Sequence, residues 1–457
     1  MKINPEIFRM YDVRGKYPND LGPKTAYQIG RFFIQFLRQK TKKKKFKIAA
    51  GRDVRPSSPI LFKYFSKGII DEGCNVIDLG LITTPMLYFA IFRFNYDGGA
   101  IITASHNPNP WNGIKLMRER VIPLSGERGI FWIRDKIIRN KKSFKKRQGG
   151  KIIKKNIEKE YLDFNLKLAG IKKGELKGGS LAVDAGNGIA GPTTIKILKE
   201  TKIKIYPLYC KPDGSFPHHV PDPLLKENLK DIILLIKQEK PLLGIALDGD
   251  GDRIIFIDER GKPVSGDLVT ALVAKIILKE NPKAKILYDV RSSNIVGETI
   301  KANGGKPIKY KIGHALIKEK IRRDNILFAG ELAGHYYLGK KMFYEVPLFV
   351  LLRILKELKE KKTVFSQLIK PFQRYYHSGE INFKVKDKEG KIKELKNRYR
   401  SGKTLEIDGL RVDFNDWWFL VRPSNTEPIL RLVLEAKNFN LLEKKKKELT
   451  EIISKPL

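Results

Sequence analysis

The chain has 457 residues, is 42% hydrophobic and carries a formal net charge of +40, a size that fits about three domains with cores of their own. No apolar run of about 18 residues occurs, which excludes an ordinary helical membrane span. The two cysteines, Cys74 and Cys210, exclude a disulfide framework and read as small buried residues of a reducing compartment.

The first segment opens with Tyr11-Asp12-Val13-Arg14-Gly15, followed by an amphipathic helix near 24–39 and a strand at 46–50 that ends in Gly51-Arg52-Asp53-Val54-Arg55. A helix over 60–72, a strand at 76–79 and a helix near 85–94 lead to the apolar run Gly99–Ile102. That run reads as a buried strand and empties into Thr103-Ala104-Ser105-His106-Asn107-Pro108. The basic stretch 140–150 marks a seam.

A second cycle has a strand at 180–184 followed by Ala185-Gly186-Asn187-Gly188, a helix over 191–200, a strand at 203–208 and a helix over 225–238. Strand 243–247 then ends in Asp248-Gly249-Asp250-Gly251-Asp252-Arg253. A third cycle from Ile254 has helix 266–280, a strand at 285–288 ending in Asp289-Val290-Arg291, helix 294–302, strand 306–310, Gly313-His314, and strand 326–329 ending in Gly330-Glu331-Leu332-Ala333-Gly334-His335. Strands alternating with helices predict βαβ units, and the recurrence predicts three repeated α/β units sharing one site. Helix 347–360 closes this region. The remainder has strands at 378–385, 404–414, 417–421 and 430–436 and a terminal basic helix, a smaller α+β domain. The expected domains are 1–150, 151–253, 254–370 and 371–457.

Four loops concentrate chemistry. Ser105 beside His106 is a candidate nucleophile, although Ser and Asn in a turn also bond their own backbone. Asp248, Asp250 and Asp252 repel one another on a tight glycine loop unless a hard divalent cation neutralises them, which favours magnesium. Glu331 and His335 offer an acceptor and a donor suited to sugar hydroxyls, or are a buried acid and a surface imidazole. Arg422, Ser424, Asn425 and Thr426 suit a phosphate dianion, or a helix cap. His218 and His219 sit among prolines and read as part of a structured loop rather than as metal ligands. The lysines are spread over helices such as 353–362 and 443–448 instead of being gathered with aromatics. They decorate solvated faces, and the positive field attracts a phosphorylated substrate rather than marking a nucleic-acid interface.

Taken together and in this order, the loops at 103–108, 248–253, 330–335 and 422–428 resemble those of the α-D-phosphohexomutase family, over nearly the full length and most closely in its mannose/glucose branch. The resemblance implies three similar α/β domains of mixed or parallel sheet plus a C-terminal α+β domain around a central cleft. It implies a phosphoserine at Ser105, one Mg2+ per chain held by the Ser105 phosphoryl with Asp248, Asp250 and Asp252, and a hexose 1,6-bisphosphate intermediate. It also lines the cleft with Tyr11, Arg14, His106, Lys115, Arg253, Arg291 and His314. Lys115 and His314 would transfer protons, Arg14 and Arg253 would face the phosphoserine, and Glu331 would bind sugar hydroxyls with His335 nearby. The family commonly has Ser where Ala333 stands, so one sugar contact is missing. Thr103-Ala104 and Asn425 look more like the mannose/glucose mutases than the glucosamine mutases, and phosphoglucosamine mutase is the alternative within the class. A phosphatase using the aspartate loop is the reading from another class. A monomer or weak dimer in the cytoplasm, acting on a small phosphosugar without nucleic acid or membrane, completes the expectation.

Overall fold

In the computed structural model the residues described are 3–139, 147–423 and 429–455. They form four sheets. The first contains β1 (Val13–Lys16), β2 (Lys47–Arg52), β3 (Asn75–Leu81), β4 (Gly98–Ile102), β5 (Trp111–Arg118) and β6 (Ile152–Lys154), in the order β1-β5-β4-β2-β3-β6. The second contains β7 (Ser180–Asp184), β8 (Lys204–Leu208), β9 (Leu243–Leu247), β10 (Ile254–Asp258) and β11 (Pro263–Val264), in the order β11-β10-β9-β7-β8. The third contains β12 (Lys285–Asp289), β13 (Lys306–Tyr310), β14 (Phe328–Gly330), β15 (Tyr336–Leu338) and β16 (Tyr344–Glu345), in the order β13-β12-β14-β15-β16.

The repeat expected from sequence is present as one four-strand unit used three times: β3-β2-β4-β5, β8-β7-β9-β10 and β13-β12-β14-β15. In each, the first two pairings are parallel and the last is antiparallel. The serine, aspartate and sugar loops are therefore topologically equivalent. Each leaves the carboxyl end of the unit's last parallel strand and returns through an antiparallel one, the place where open α/β sheets present ligand-binding groups. One apolar core runs through all three units, from Ala49 to Phe372. Helix Thr84–Phe94 lies at its centre, its Phe89 ring 5.4 Å from Tyr161 and its Tyr88 ring 5.9 Å from Tyr344.

The fourth sheet is antiparallel: β17 (Tyr376–His377), β18 (Ile381–Lys384), β19 (Lys403–Leu405), β20 (Leu410–Asp413), β21 (Trp417–Pro423) and β22 (Ile429–Ala436). It is seated on the loop that follows β12. Buried Arg411 donates to the Val290 carbonyl (2.8 Å) and to Asn294 Oδ1 (2.8 Å), and Glu435 accepts the Asn294 N–H (3.0 Å).

The structure departs from the sequence reading in several places. Trp111–Arg118 is a strand, hidden because Pro108 and Pro110 break the apolar pattern before it. Ile152–Lys154 pairs with β3 and so belongs to the first sheet, although it lies past residue 150. Ile254–Asp258 and Pro263–Val264 belong to the second sheet, although they lie past 253, because the aspartate loop links two antiparallel neighbours and does not separate domains. Helices Phe131–Arg139, Glu158–Ala169 and Lys388–Arg398 had no counterpart. The stretch 404–414 is two strands, β19 and β20, broken at Gly409. There φ is +93° and a Cβ would lie 2.4 Å from the Val421 carbonyl oxygen. Cys74 is buried, but Cys210 is only half-buried. Among the described residues no helix is long and apolar enough to cross a membrane.

Candidate active site

Ser105 follows β4 in a left-handed conformation, φ +52°, with its N–H donated to Thr103 Oγ1 at 2.9 Å. Its hydroxyl leaves the first unit and donates to Asp248 Oδ2 of the second at 2.8 Å, with His106 Nδ1 at 3.2 Å. Burial, then the Arg253 and Arg14 charges, push His106 down to about 2, so its imidazole is neutral. Arg14 donates to Asn107 Oδ1 and to Asp12 Oδ2, each at 2.5 Å.

Asp248, Asp250 and Asp252 are all buried, and their carboxylate oxygens lie within 4.8 Å of one another. The Asp252 and Arg253 amides donate to Asp248 Oδ1, both at 3.1 Å. Thr84 Oγ1 donates to Asp250 Oδ2 at 2.6 Å. Lys115, reaching across from β5, donates to Asp250 Oδ2 at 2.6 Å and to Asp252 Oδ2 at 2.7 Å. Burial followed by the two neighbouring carboxylates drives Asp248 well above the usual carboxylate range. Burial acts against Asp252 as well, but Lys115, His335 and Arg253 outweigh it and hold that carboxyl well below the range. Burial likewise opposes the Lys115 charge, and Asp250 and Asp252 overcome it, so the ammonium is protonated. Asp250 Oδ1 and Asp252 Oδ1 are buried without a hydrogen-bond partner among the described residues. Three hard-oxygen side chains, two of them with an unused buried oxygen, are a donor set that fits a divalent cation such as magnesium.

Asp252, His335 and Glu345 form a second close trio. Its atoms are already engaged by cations: Lys318 Nζ lies 2.7 Å from Glu345 Oε2, and Arg253 Nε donates to His335 Nε2 at 3.0 Å. His335 is thus tied to the aspartate loop, its Nδ1 3.2 Å from the Asp252 carbonyl, and is not the exposed imidazole that one reading of the sequence allowed.

Beyond this centre lie Glu331, Arg291, His314 and Tyr11. Burial, then Asp289, raises the Glu331 carboxyl to about 7. It accepts the Tyr337 hydroxyl on Oε1 and the Gly313 N–H (3.4 Å) on Oε2. Arg291 donates to both oxygens of Asp289, at 3.2 and 2.8 Å, and Asp289 Oδ2 also accepts the Leu332 N–H at 2.8 Å, which holds the sugar loop. His314 opens helix His314–Asp324. Its Nδ1 is buried without a hydrogen-bond partner among the described residues, 4.0 Å from Glu345 Oε1, and burial followed by the Lys318 charge keeps the ring neutral. The Tyr11 ring meets it edge-on at 5.5 Å. Gly313 allows that approach, since at φ +122° a Cβ would lie 2.7 Å from the Tyr11 hydroxyl. Ala333 is half-buried.

In the fourth sheet, Arg422 lies 3.9 Å from both Glu380 and Asp408, and its buried Nε has no hydrogen-bond partner among the described residues. The expected phosphate-binding residues Ser424, Asn425 and Thr426 lie outside the described residues. His218 and His219 bond Asn187 (2.7 Å) and Asp184 (3.2 Å) inside a structured loop, as the surrounding prolines suggested.

Sequence reasoning missed Thr84, Asp289 and Arg55. The last two carried a signal, because Asp-Val-Arg recurs at 53–55 and 289–291, after equivalent strands.

Models of the phosphoglucomutase/phosphomannomutase alpha/beta/alpha domains I, II and III match residues 5–143, 159–261 and 265–375, and the C-terminal domain model matches 380–452. The phosphomannomutase of Methanocaldococcus jannaschii is 40% identical over 98% of each chain. The phosphomannomutase/phosphoglucomutase of Pseudomonas putida is 36% identical over 94% of this chain and 91% of its own. The crystal structure of a phosphoglucomutase/phosphomannomutase family protein from Burkholderia thailandensis superposes with a TM-score of 0.89 at 30% identity, covering 99% of this chain and 97% of that one. With all four domains matched in order and the serine, aspartate and sugar loops set on equivalent strand ends, the chain belongs to the phosphoglucomutase/phosphomannomutase family.

Proposed function

We propose that the protein interconverts hexose 1-phosphate and hexose 6-phosphate, with mannose, glucose or both as the sugar, through a phosphoserine at Ser105. The observation that supports this is the 2.8 Å hydrogen bond from the Ser105 hydroxyl to Asp248, which joins the serine loop of one unit to the aspartate loop of the next. Asp248, Asp250 and Asp252 would hold one magnesium ion, which when bound supplies Lewis-acid stabilisation of phosphoryl charge.

The phosphoryl group passes from Ser105 Oγ to the free hydroxyl of the bound sugar phosphate, and the hydroxyl proton goes to a base in the cleft. The resulting hexose 1,6-bisphosphate reorients and returns its other phosphoryl group to Ser105, and a proton caps the oxygen left on the sugar. Neutral His314 is equipped to accept a proton and protonated Lys115 to donate one. Arg14 and Arg253 neutralise the phosphoserine side, with neutral His106 beside Ser105. Glu331, Arg291 and Tyr11 bind the sugar, with Ala333 and His335 on the same loop. Arg422, with Ser424, Asn425 and Thr426, takes the phosphate that is not reacting.

The test is a panel of mannose, glucose and glucosamine 1-phosphates with magnesium and a trace of hexose 1,6-bisphosphate. Conversion of the first two to 6-phosphates without free phosphate supports the proposal. Preference for the glucosamine substrate moves the enzyme to that branch, and free phosphate without 6-phosphate makes it a phosphatase. Ser105→Ala is expected to abolish turnover and to lose a covalent phosphoryl group of about 80 Da. Full activity in that variant overturns the nucleophile.

A further inference from the structure

We infer that Arg55 is the positioning residue that aims the nucleophile, by gripping the backbone of the serine loop from behind. Its side chain is fully buried, and it bonds Ser105 through the main-chain carbonyl, not through the hydroxyl. Nη2 donates to the carbonyl oxygens of Ser105 (2.8 Å) and Asn107 (2.6 Å), and Nη1 donates to that of Trp111 (2.9 Å). Nε donates to Asp53 Oδ2 at 3.1 Å. Four of the five guanidinium donors are thus spent, three of them on main-chain carbonyls that span the loop from its nucleophile to the start of β5.

The fork is itself fixed. Asp53 Oδ1 accepts the Arg55 N–H (3.1 Å) and the Ser58 hydroxyl (2.6 Å), and the Phe216 ring of the second unit lies 5.0 Å from the guanidinium carbon. On the other side of the loop is Gly249 of the aspartate loop, where a Cβ would come within 2.5 Å of the Ser105 carbonyl oxygen. That carbonyl is therefore held between a buried cation and the backbone next to Asp248.

Such a grip is what Ser105 requires. Its φ of +52° is disfavoured for a residue with a Cβ. The left-handed turn holds only where surrounding bonds over-determine it. The third unit shows the same Asp-Val-Arg device put to another use. Arg291 spends its Nε and Nη2 on Asp289, and it is Asp289 that holds the neighbouring loop through the Leu332 N–H. In the first unit the arginine itself reaches the loop backbone, so a motif that presents a cation in one repeat aims a nucleophile in the other.

This inference rests on Ser105 being the nucleophile, and the experiment separates the two. Arg55→Lys and Arg55→Ala are assayed on the preferred hexose 1-phosphate with magnesium, alongside thermal melting. The expected result is a kcat lower by about 100-fold, the usual cost of a displacement of about 1 Å at a reacting atom, with KM within about twofold. Guanidinium ion added to Arg55→Ala restores part of kcat, and it does nothing for Ser105→Ala or the parent enzyme. Wild-type kcat in Arg55→Lys overturns the inference, as does a folded Arg55→Ala that guanidinium leaves unchanged. If Arg55→Ala does not fold, the lysine variant alone decides. Activity surviving in Ser105→Ala instead refutes the assigned nucleophile.

Discussion

Replacing Lys115 by Met removes a charge and keeps an unbranched side chain. The ammonium joins the first sheet to the second, at 2.6 Å from Asp250 and 2.7 Å from Asp252, with 5% of its side chain exposed. Its loss leaves two buried carboxylates with one countercharge fewer. Removing one partner of a buried pair costs about 3–5 kcal/mol. At about 2–4 °C per kcal/mol for domains of this size, the melting midpoint in EDTA falls by about 6–20 °C. Magnesium then separates a lost contact from a lost charge. A ligand at about 100 times its Kd stabilises by about 2.7 kcal/mol. In the parent protein the ion has to share Asp250 and Asp252 with the ammonium, whereas in Lys115→Met that competing charge is gone. Magnesium is therefore expected to raise the midpoint more in the variant than in the parent. The assay is a pair of melts for each protein, in EDTA and in saturating magnesium. An unchanged EDTA midpoint, or equal magnesium increments in the two proteins, refutes the electrostatic account.

Two more predictions concern the sugar loop. The Glu331 carboxyl, lifted to about 7 by burial and then by Asp289, has to be ionised to accept sugar hydroxyls. KM is expected to fall as pH rises through about 7, and Glu331→Gln to flatten that dependence at a KM raised about tenfold or more. The stability sign is opposite: a carboxyl raised from its ordinary 4.5 contributes fully below that value and loses its contribution as pH rises through about 7. A pH-independent parent KM refutes the role. Ala333→Ser places a hydroxyl on a half-buried position and is expected to lower KM for the hexose 1-phosphate by about three- to tenfold. An unchanged KM means that position 333 does not face the sugar.

The parts of this protein legible in its sequence are those with a local signal. A continuous apolar strand such as Leu243–Leu247 that ends in Asp-Gly-Asp-Gly-Asp announces both the strand and the loop, because burial on both faces and the glycine turn are short-range requirements. The residues that make the loops work together have no such signal. Lys115 was one lysine among 90 basic residues. The register that pairs it with Ile101 sets β5 beside β4 and so carries it to the aspartates. Thr84 fell just before the helix expected near 85–94, which it in fact opens, and its bond to Asp250 joins residues 166 apart. His335 read as a free donor and is held by Arg253. In each case the missing information is a contact between units, which periodicity and composition do not encode.

The repeat explains why these distant contacts meet. Three loops that occupy the same place in the same four-strand unit also share a direction of exit, so bringing the units together faces the loops toward one another without any of them being long. On the proposed function each unit supplies one kind of group: a hydroxyl from the first, cation-binding carboxylates from the second, hydroxyl acceptors from the third. The chemistry of each loop can change without disturbing the others, because the apolar core that joins the units lies behind the strand ends. The fourth sheet joins differently. Arg411 and Glu435 seat it on residues 290–294, the loop that carries Arg291, and Arg291 bonds Asp289, which also accepts the Leu332 N–H of the sugar loop. On the proposed function Arg14, Arg253, Arg291 and Arg422 all serve one bound sugar phosphate, and an intermediate with two phosphates that has to release both grips in order to reorient is better retained by such a distributed positive field than by any single tight contact.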